Sequence, residues 1–269
     1  MWEKLNPEAK NIFALYVSNM KFLNLNCQHG LQRELKDFLH CSLNTKAYDF
    51  LILQEVNDRV LTFLRDDEYQ LIRAFNEETE RDTELCIVYQ RTYNLRKIGF
   101  KSFSSMRQDP VYGYKHPCMG LLWADFEIEN KLFRVATIHL HSGIDRHVRI
   151  AESRPAKKLL LNEIPVVTIL AGDFNAGLPF ERIRLAQTLS PEFTWMTKNL
   201  NPTLNSRYSE NVAHLPNRIA ALFNFFNLGI KLRTDHIFVD HQTAVTNTVE
   251  CSILPDRVSD HSPVEITLI

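Results

Sequence analysis

Carboxylates, amides and imidazoles stand in this chain where apolar runs stop, which packing alone does not require. In "FLNLNCQ", two-residue alternation puts Phe22, Asn24 and Asn26 on one strand face and Leu23, Leu25 and Cys27 on the other. Two amides on a core-facing strand are costly unless hydrogen-bonded, whether by nearby backbone or by a ligand. "LILQEV" ends a buried run on Gln54 and Glu55, a carboxylate either solvated at the strand tip or binding a cation. In "ATIHLHSG", Thr137, His139 and His141 share a face without forming the HExxH zinc pattern. In "GDFN", Asp173 and Asn175 share a face, and a simple Asx-type turn would account for them equally well. Asp235-His236 and Asp260-His261 each precede an apolar strand, where caps or loop residues are the ordinary alternative.

Together these groups are more specific than any one of them. Carboxylates and amides can hold a hard divalent cation through oxygen, and Mg²⁺ needs only one or two carboxylates plus water and substrate phosphate. Asp, Asn and His can supply a water-activating base and donors for developing charge. That is equipment for metal-assisted hydrolysis of a phosphate ester.

Strands must carry these groups. Near-continuous apolar runs at 20–28, 48–56, 69–76, 84–90, 120–128, 132–142, 166–175, 234–239 and 263–269 read as strands, several of them covered on both faces. Between them, "HGLQRELKDFLHCSL" spaces Leu31, Leu35, Phe38 and Leu39 along one helical stripe. A second helix over "DRHVRIAESRPAKKLLLNEI" is expected to kink or split at Pro155, and a third begins near "PFERIRLAQTL". The stretch 191–233 reads as long loops around short elements. Strands outnumber helices and the two are interspersed, which fits two packed sheets with helices outside better than one doubly wound sheet.

At 269 residues, 45% hydrophobic and 23% charged, the chain is an ordinary globular one, read as a single domain over 1–269. A formal charge of −1 announces no polyanion partner, although local basic patches stay open. Five scattered cysteines without a CxxC pair read as buried thiols. The start lacks the pattern of a signal peptide and no run is long enough to span a bilayer, so a cytoplasmic protein is expected.

The blocks "NLN" (24–26), "LQEV" (53–56), "TIHLHSG" (137–143), "AGDFNA" (171–176), "RTDHIF" (233–238) and "SDHSPV" (259–264) occur in an order that resembles the endonuclease/exonuclease/phosphatase, DNase-I-like superfamily. The resemblance implies a four-layer α-β-β-α sandwich (α/β, α+β in connectivity) and a Mg²⁺-dependent phosphoesterase, with Mn²⁺ as the alternative ion. Residue by residue, it implies Glu55 as principal metal ligand, aided by Asn26, with Asp260 as a further ligand. It implies Asp173 as the group that deprotonates water, with Asn175 and Asn24 positioning water and phosphate. His261, oriented by Asp235, and His139 would donate to phosphoryl oxygens. The chain departs from many members in having Asn26 where they have Asp, His236 beside Asp235, and His141 as an extra histidine. Which of His139 and His141 reaches phosphate is open.

The substrate is less defined. "GDFNAG" and "KLRTDHIF" depart from the inositol-polyphosphate 5-phosphatase pattern, whereas "PTLNSRYSEN" (202–211) is similar to a loop of tyrosyl-DNA phosphodiesterase and deadenylase relatives. That similarity makes Asn205 and Arg207 candidates for substrate binding, and the family resemblance adds His141, the extra histidine, and Arg149, placed about ten residues after the strand histidine as in relatives. Arg146, Arg149, Arg154, Lys157 and Lys158 form either a phosphate-tracking face or a solvated helix surface. Phe223, Phe225 and Phe226 could stack on bases, dip into a membrane or pack in a core. The expectation is a phosphodiesterase on nucleic acid or a nucleotide-like ester. The alternatives are a phosphatase or phospholipase-C-like hydrolase on phosphoinositide, sphingolipid or a small ester, and an inactive binding module.

Overall fold

The two faces of each central strand meet different partners, and this sorts the chain into layers. In strand β1 (Met20–Asn26), Phe22 joins an apolar cluster between two sheets, whereas Leu23 and Leu25 join a second cluster under helix α1 (Arg33–Asn44). The computed structural model describes residues 19–28, 33–45, 47–64, 67–76, 81–103, 119–141, 146–162, 167–205, 231–255 and 258–269.

One six-stranded sheet comprises β1, β2 (Phe50–Gln54), β3 (Tyr69–Asn76), β4 (Arg81–Gln90), β13 (Val249–Ile253) and β14 (Val264–Leu268), ordered β13-β14-β1-β2-β4-β3. The other comprises β5 (Asn94–Ser102), β6 (Gly120–Ile128), β7 (Lys131–His139), β8 (Val167–Asp173), β9 (Phe193–Trp195) and β12 (Asp235–Asp240), ordered β5-β6-β7-β8-β12-β9. A short pair, β10 (Leu204–Asn205) and β11 (Lys231–Leu232), stands apart. Helices α2 (Asp58–Phe63), α3 (Arg146–Leu161), α4 (Pro179–Leu189) and α5 (His241–Thr246) complete the described elements.

Three apolar clusters fill the gaps between layers. Phe22, Phe50 and Ile52 of the first sheet meet Phe126, Val135 and Ile169 of the second, with the Phe50 and Phe126 rings 5.0 Å apart. Leu25, Leu51 and Leu53 pack under α1, and Ile138, Leu170 and Phe174 under α3 and α4. The result is the expected four-layer α-β-β-α sandwich.

Each sheet contains one β-α-β unit with parallel strands. β1-α1-β2 pairs Asn26 with Gln54, and β7-α3-β8 pairs His139 with Asp173. Loops at the carboxyl ends of such strands are the usual place for chemistry in α/β sheets. Here two sets of carboxyl ends lie at the same end of the sandwich.

Three expectations are corrected. Helix α3 runs unbroken through Pro155: its inward residues Arg149, Glu152, Ser153, Ala156 and Leu160 are buried on both sides of the proline, and that packing outweighs one lost backbone bond. Its C-terminal carbonyls are capped by buried Arg134, which donates to Leu160 O and Asn162 O while forking onto Asp125. Cys27 and Cys86 are buried, with burial pushing the Cys86 thiol up to about 12, but Cys41 is exposed. Strands β5 and β13 escape the apolar-run reading because they are edges with half-exposed, polar faces. Leu31, Cys118, Arg207, Phe223, Phe225 and Phe226 lie outside the described residues.

Candidate active site

Alternation along the strands aims Asn24, Asn26 and Gln54 from one sheet, and Thr137, His139, Asp173 and Asp235 from the other, into the space between the sheets. An unpaired buried amide there would cost about 1–3 kcal/mol. Gln54 limits that cost by donating to Asn24 Oδ1 (3.0 Å) and to Thr137 Oγ1 (2.9 Å), tying one sheet to the other. Asn24 Nδ2 is left a buried donor without an acceptor among the described residues.

Two breaks in strand geometry bring further groups inward. Alternation would send Glu55 to the helix side, but its φ of +54° is left-handed and its carboxylate turns back to accept from Asn26 Nδ2 at 2.9 Å. Asn175, at φ +51°, closes an Asx turn in which its N–H donates to Asp173 Oδ1 (2.8 Å), while its amide donates to Leu140 O (2.8 Å). The turn and the site are therefore the same structure.

Asp173 is the hub. Its Oδ2 accepts from Asn26 Nδ2 (3.1 Å) and lies 3.9 Å from His139 Nε2 and 3.8 Å from His261 Nε2. Both imidazole separations exceed hydrogen-bond range and leave room for a bridging oxygen of water or phosphate. His139 Nδ1 has no partner among the described residues. Glu55, His139 and Asp173 each offer a ligand atom within 4.8 Å of the others, a candidate metal site. Asp173, Asp235 and Asp260 are buried close to one another, and a divalent cation would offset that concentration of negative charge.

Asn26 meets the two carboxylates through its amide. Its Oδ1 accepts from Gln28 N (3.0 Å), so the amide nitrogen, not the oxygen, faces the two carboxylates.

His261 Nδ1 lies 2.7 Å from Asp235 Oδ2, joining the loop before β14 to the first residue of β12. Burial alone would lower the pKa of this imidazole. Asp235, by charge and hydrogen bond, and then Asp173 and Asp260 by charge, hold it well above the ordinary value. His261 Nε2 is 3.9 Å from Asp260 Oδ1.

Several holding residues were not assigned roles from sequence. Thr203 Oγ1 accepts from the N–H groups of Thr234 and Asp235, and its carbonyl accepts from Ser262 N. Ser259 Oγ accepts from His261 N and lies 2.8 Å from Asn26 O. Gln28 Oε1 accepts from Asp260 N. Threonine and serine in loops give no such signal, because their partners are distant in sequence.

The remaining candidates divide. His139 is in the cleft, whereas the backbone of His141 is bound to α3, its N–H to Glu152 and its carbonyl to Arg149. Arg149 is buried and ion-paired with Glu181 of α4, so it buttresses the cleft from behind. Asn205 lies on β10 next to Leu204, whose backbone bridges His261.

His236 points away from this chemistry. It is fully buried among Phe174, Trp195 and Phe238, with Nε2 3.3 Å from Ala176 O. Burial, opposed by the Ala176 carbonyl and Asp173 and reinforced by Arg182 and Arg233, lowers its pKa to about 3. Above the unfolded-state value of about 6.5 both states are neutral and its contribution is complete. As pH falls towards about 3, the unfolded chain takes up a proton the fold refuses, and stability drops by ~1.4 kcal/mol per pH unit. Urea unfolding at pH 7, 6, 5 and 4 should therefore show the advantage of wild type over His236→Phe shrinking at that slope. A pH-independent difference would mean that the imidazole takes up its proton as readily in the fold as in the unfolded chain.

The model of the endonuclease/exonuclease/phosphatase family matches residues 23–261. No curated protein matches the chain by sequence. Among solved structures, D. rerio TDP2 complexed with a single-stranded DNA product is similar at 16% identity and a TM-score of 0.71, covering 94% of this chain and 99% of its own. Truncated Caenorhabditis elegans TDP2 is similar at 15% identity and a TM-score of 0.67, covering 94% and 99%. A mannosyl-6-phosphatase of Bacteroides thetaiotaomicron is similar at 16% identity and a TM-score of 0.65, covering 93% and 99%. At such identity the likenesses speak for the fold. The family match spans nearly the whole chain and reaches from β1 through His261: this chain belongs to the endonuclease/exonuclease/phosphatase family, whose members hydrolyse phosphate esters.

Proposed function

We propose that the chain, acting as one domain over 1–269, is a divalent-metal-dependent phosphodiesterase acting on nucleic acid or a nucleotide-like ester. Mg²⁺ is the first candidate ion and Mn²⁺ the second. The observation that carries this reading is the convergence of Asp173, Glu55, His139 and the Asp235–His261 pair on one cleft from both sheets.

Glu55, with Asp173 beside it, would hold the cation, and Asp260 would add negative charge from the other side. The bound ion would supply Lewis-acid stabilisation of phosphoryl oxygens. Asp173 Oδ2 accepts a proton from the attacking water, whose oxygen forms the new bond to phosphorus as the bond to the ester oxygen breaks, and the departing oxygen keeps that electron pair and takes a proton from solvent. His261, kept protonated by Asp235, donates Nε2–H to a phosphoryl oxygen, and His139 Nε2 faces the same space. Asn175 and Asn24 hold the Asp173 turn and the opposing strand. Asn26 keeps Glu55 and Asp173 together as an amide donor.

Nucleic acid is favoured by the fold likeness to a TDP2 that holds a single-stranded DNA product and by the "PTLNSRYSEN" similarity. The likeness to a mannosyl-6-phosphatase supports a second reading, a phosphatase or phospholipase-C-like hydrolase on a small ester or lipid headgroup. No helix among the described residues is long and apolar enough to cross a membrane. The reading is completed by a cytoplasmic location.

Single- and double-stranded DNA, RNA, phosphoinositide, sphingomyelin, mannose 6-phosphate and p-nitrophenyl esters should be assayed with Mg²⁺, Mn²⁺ and EDTA. Metal-dependent cleavage of oligonucleotides, lost in EDTA and in His261→Ala, is the expected result. Turnover confined to monoesters or lipids supports the second reading. No turnover of any substrate above His261→Ala leaves the binding-module reading.

A further inference from the structure

Between helices α3 and α4 lies an open cavity of about 280 Å³, lined by Arg146, His147, Arg154, Glu181 and Arg184 together with Ile150 and Ala151. One water occupies about 30 Å³, so a hydrated phosphate group fits. α3 follows the strand that ends at His139 and α4 the strand that ends at Asp173, so the walls are the N-terminal halves of helices whose starts adjoin the site.

The cavity is strongly cationic in a chain of net charge −1. Its one acid, Glu181, is already engaged: it pairs with buried Arg149 and accepts from Leu178 N. The guanidinium groups of Arg154 and Arg184 have no acceptor among the described residues. The two helices are joined by the buried pair of Arg149 with Glu181, so Arg154 and Arg184 are not needed to hold them together. Arg146 lies over the ring of Phe180, 5.0 Å from its centre, and Phe180, Leu178 and Ile183 expose apolar surface on the same stretch of α4.

Cations next to an exposed aromatic, at the edge of a phosphate-ester site, suit a strand that offers both phosphates and base faces. We infer that this cavity is an anion subsite that binds a phosphodiester group of single-stranded nucleic acid away from the scissile bond, with a base against Phe180. The inference rests on the nucleic-acid reading of the cleft and adds to it a position for the strand. It also separates the basic residues of α3: Arg146 and Arg154 face the ligand, whereas Arg149 and Lys157 are structural.

The test compares wild type with the Arg154→Ala/Arg184→Ala variant, whose residues lie outside the catalytic cleft. Binding of a fluorescein-labelled ten-nucleotide DNA strand is read by anisotropy in EDTA across a salt series. The variant should bind about tenfold more weakly, with a log K against log salt slope shallower by about 1.4, two contacts at ~0.7 each. The Arg154→Lys/Arg184→Lys variant should recover most of the binding. Hydrolysis of bis-p-nitrophenyl phosphate with Mg²⁺ or Mn²⁺ should be unchanged in both variants, which also reports that they fold. An unaltered affinity and slope in the alanine variant overturns the subsite, as does absence of strand binding by wild type. Loss of binding to phosphatidylserine vesicles, with strand binding intact, assigns the cavity to a membrane surface and likewise overturns it. If wild type binds the strand through these arginines but hydrolyses no ester, the catalytic reading fails while the anion site stands.

Discussion

Asp173→Asn is expected to leave a folded protein whose kcat is down by about 10³-fold or more, some 4 kcal/mol of transition-state stabilisation. The substitution keeps the shape of the Asx turn, since an amide oxygen still accepts from Asn175 N. What it removes is charge and basicity at the atom that faces His139, His261 and Asn26. It also sets two amide nitrogens against each other, because Asn26 Nδ2 then meets an NH₂ group where it met the carboxylate oxygen. His261 loses one of the charges that raise its pKa while keeping Asp235, so the imidazolium survives with a smaller bias. The measurement is kcat at saturating metal beside a thermal melt. Retention of more than a tenth of wild-type kcat would exclude Asp173 as the proton acceptor.

Gly172→Ala has the largest expected effect on stability, about 4 kcal/mol or more, read as a fall in Tm of about 10 °C or as failure to fold. Gly172 sits at φ +154°, and a Cβ there would lie 2.0 Å from Ile138 O and 2.8 Å from Ile138 N. These atoms are the backbone of the paired strand β7, so no side chain can swing aside. Relief requires β7 and β8 to part where the pair His139–Asp173 follows Ile138–Gly172. Activity should fall further than the melt implies, because the same displacement moves the imidazole from the carboxylate. An alanine variant with wild-type Tm would show that the strands can separate without cost.

The glycine of "GDFN" was legible as a turn signal, but its close approach to Ile138 was not, since the partner strand is distant in sequence. The same division runs through the molecule. Central strands could be read because burial on both faces leaves apolar runs, and site residues because polar groups interrupt those runs at strand ends. Edge strands such as β5, with Arg96, Lys97 and Lys101 in it, carry no such contrast. Asn26 could be placed on the inner face, but which of its amide atoms meets the carboxylates depends on the Gln28 N–H. Arg149 could be placed after the strand histidine, but its direction is decided by Glu181 on another helix. Spacing tells where a side chain starts, and long-range partners tell where it ends.

The Asp235–His261 pair has a consequence for how the site is assembled. Asp235 belongs to one sheet and His261 to the loop feeding the other, as do Asp173 and its neighbours Asn26 and Glu55. Of the carboxylates that raise the imidazole, Asp235 and Asp173 lie on the other sheet and reach it only when the sheets dock. With both sheets formed but not seated, Asp173 and Asp235 would still be partners across β8 and β12, but Asn26, Glu55 and His261 would be absent from beside them. The complete cluster thus exists only in the docked sandwich, and any change that parts the two sheets takes the cluster apart.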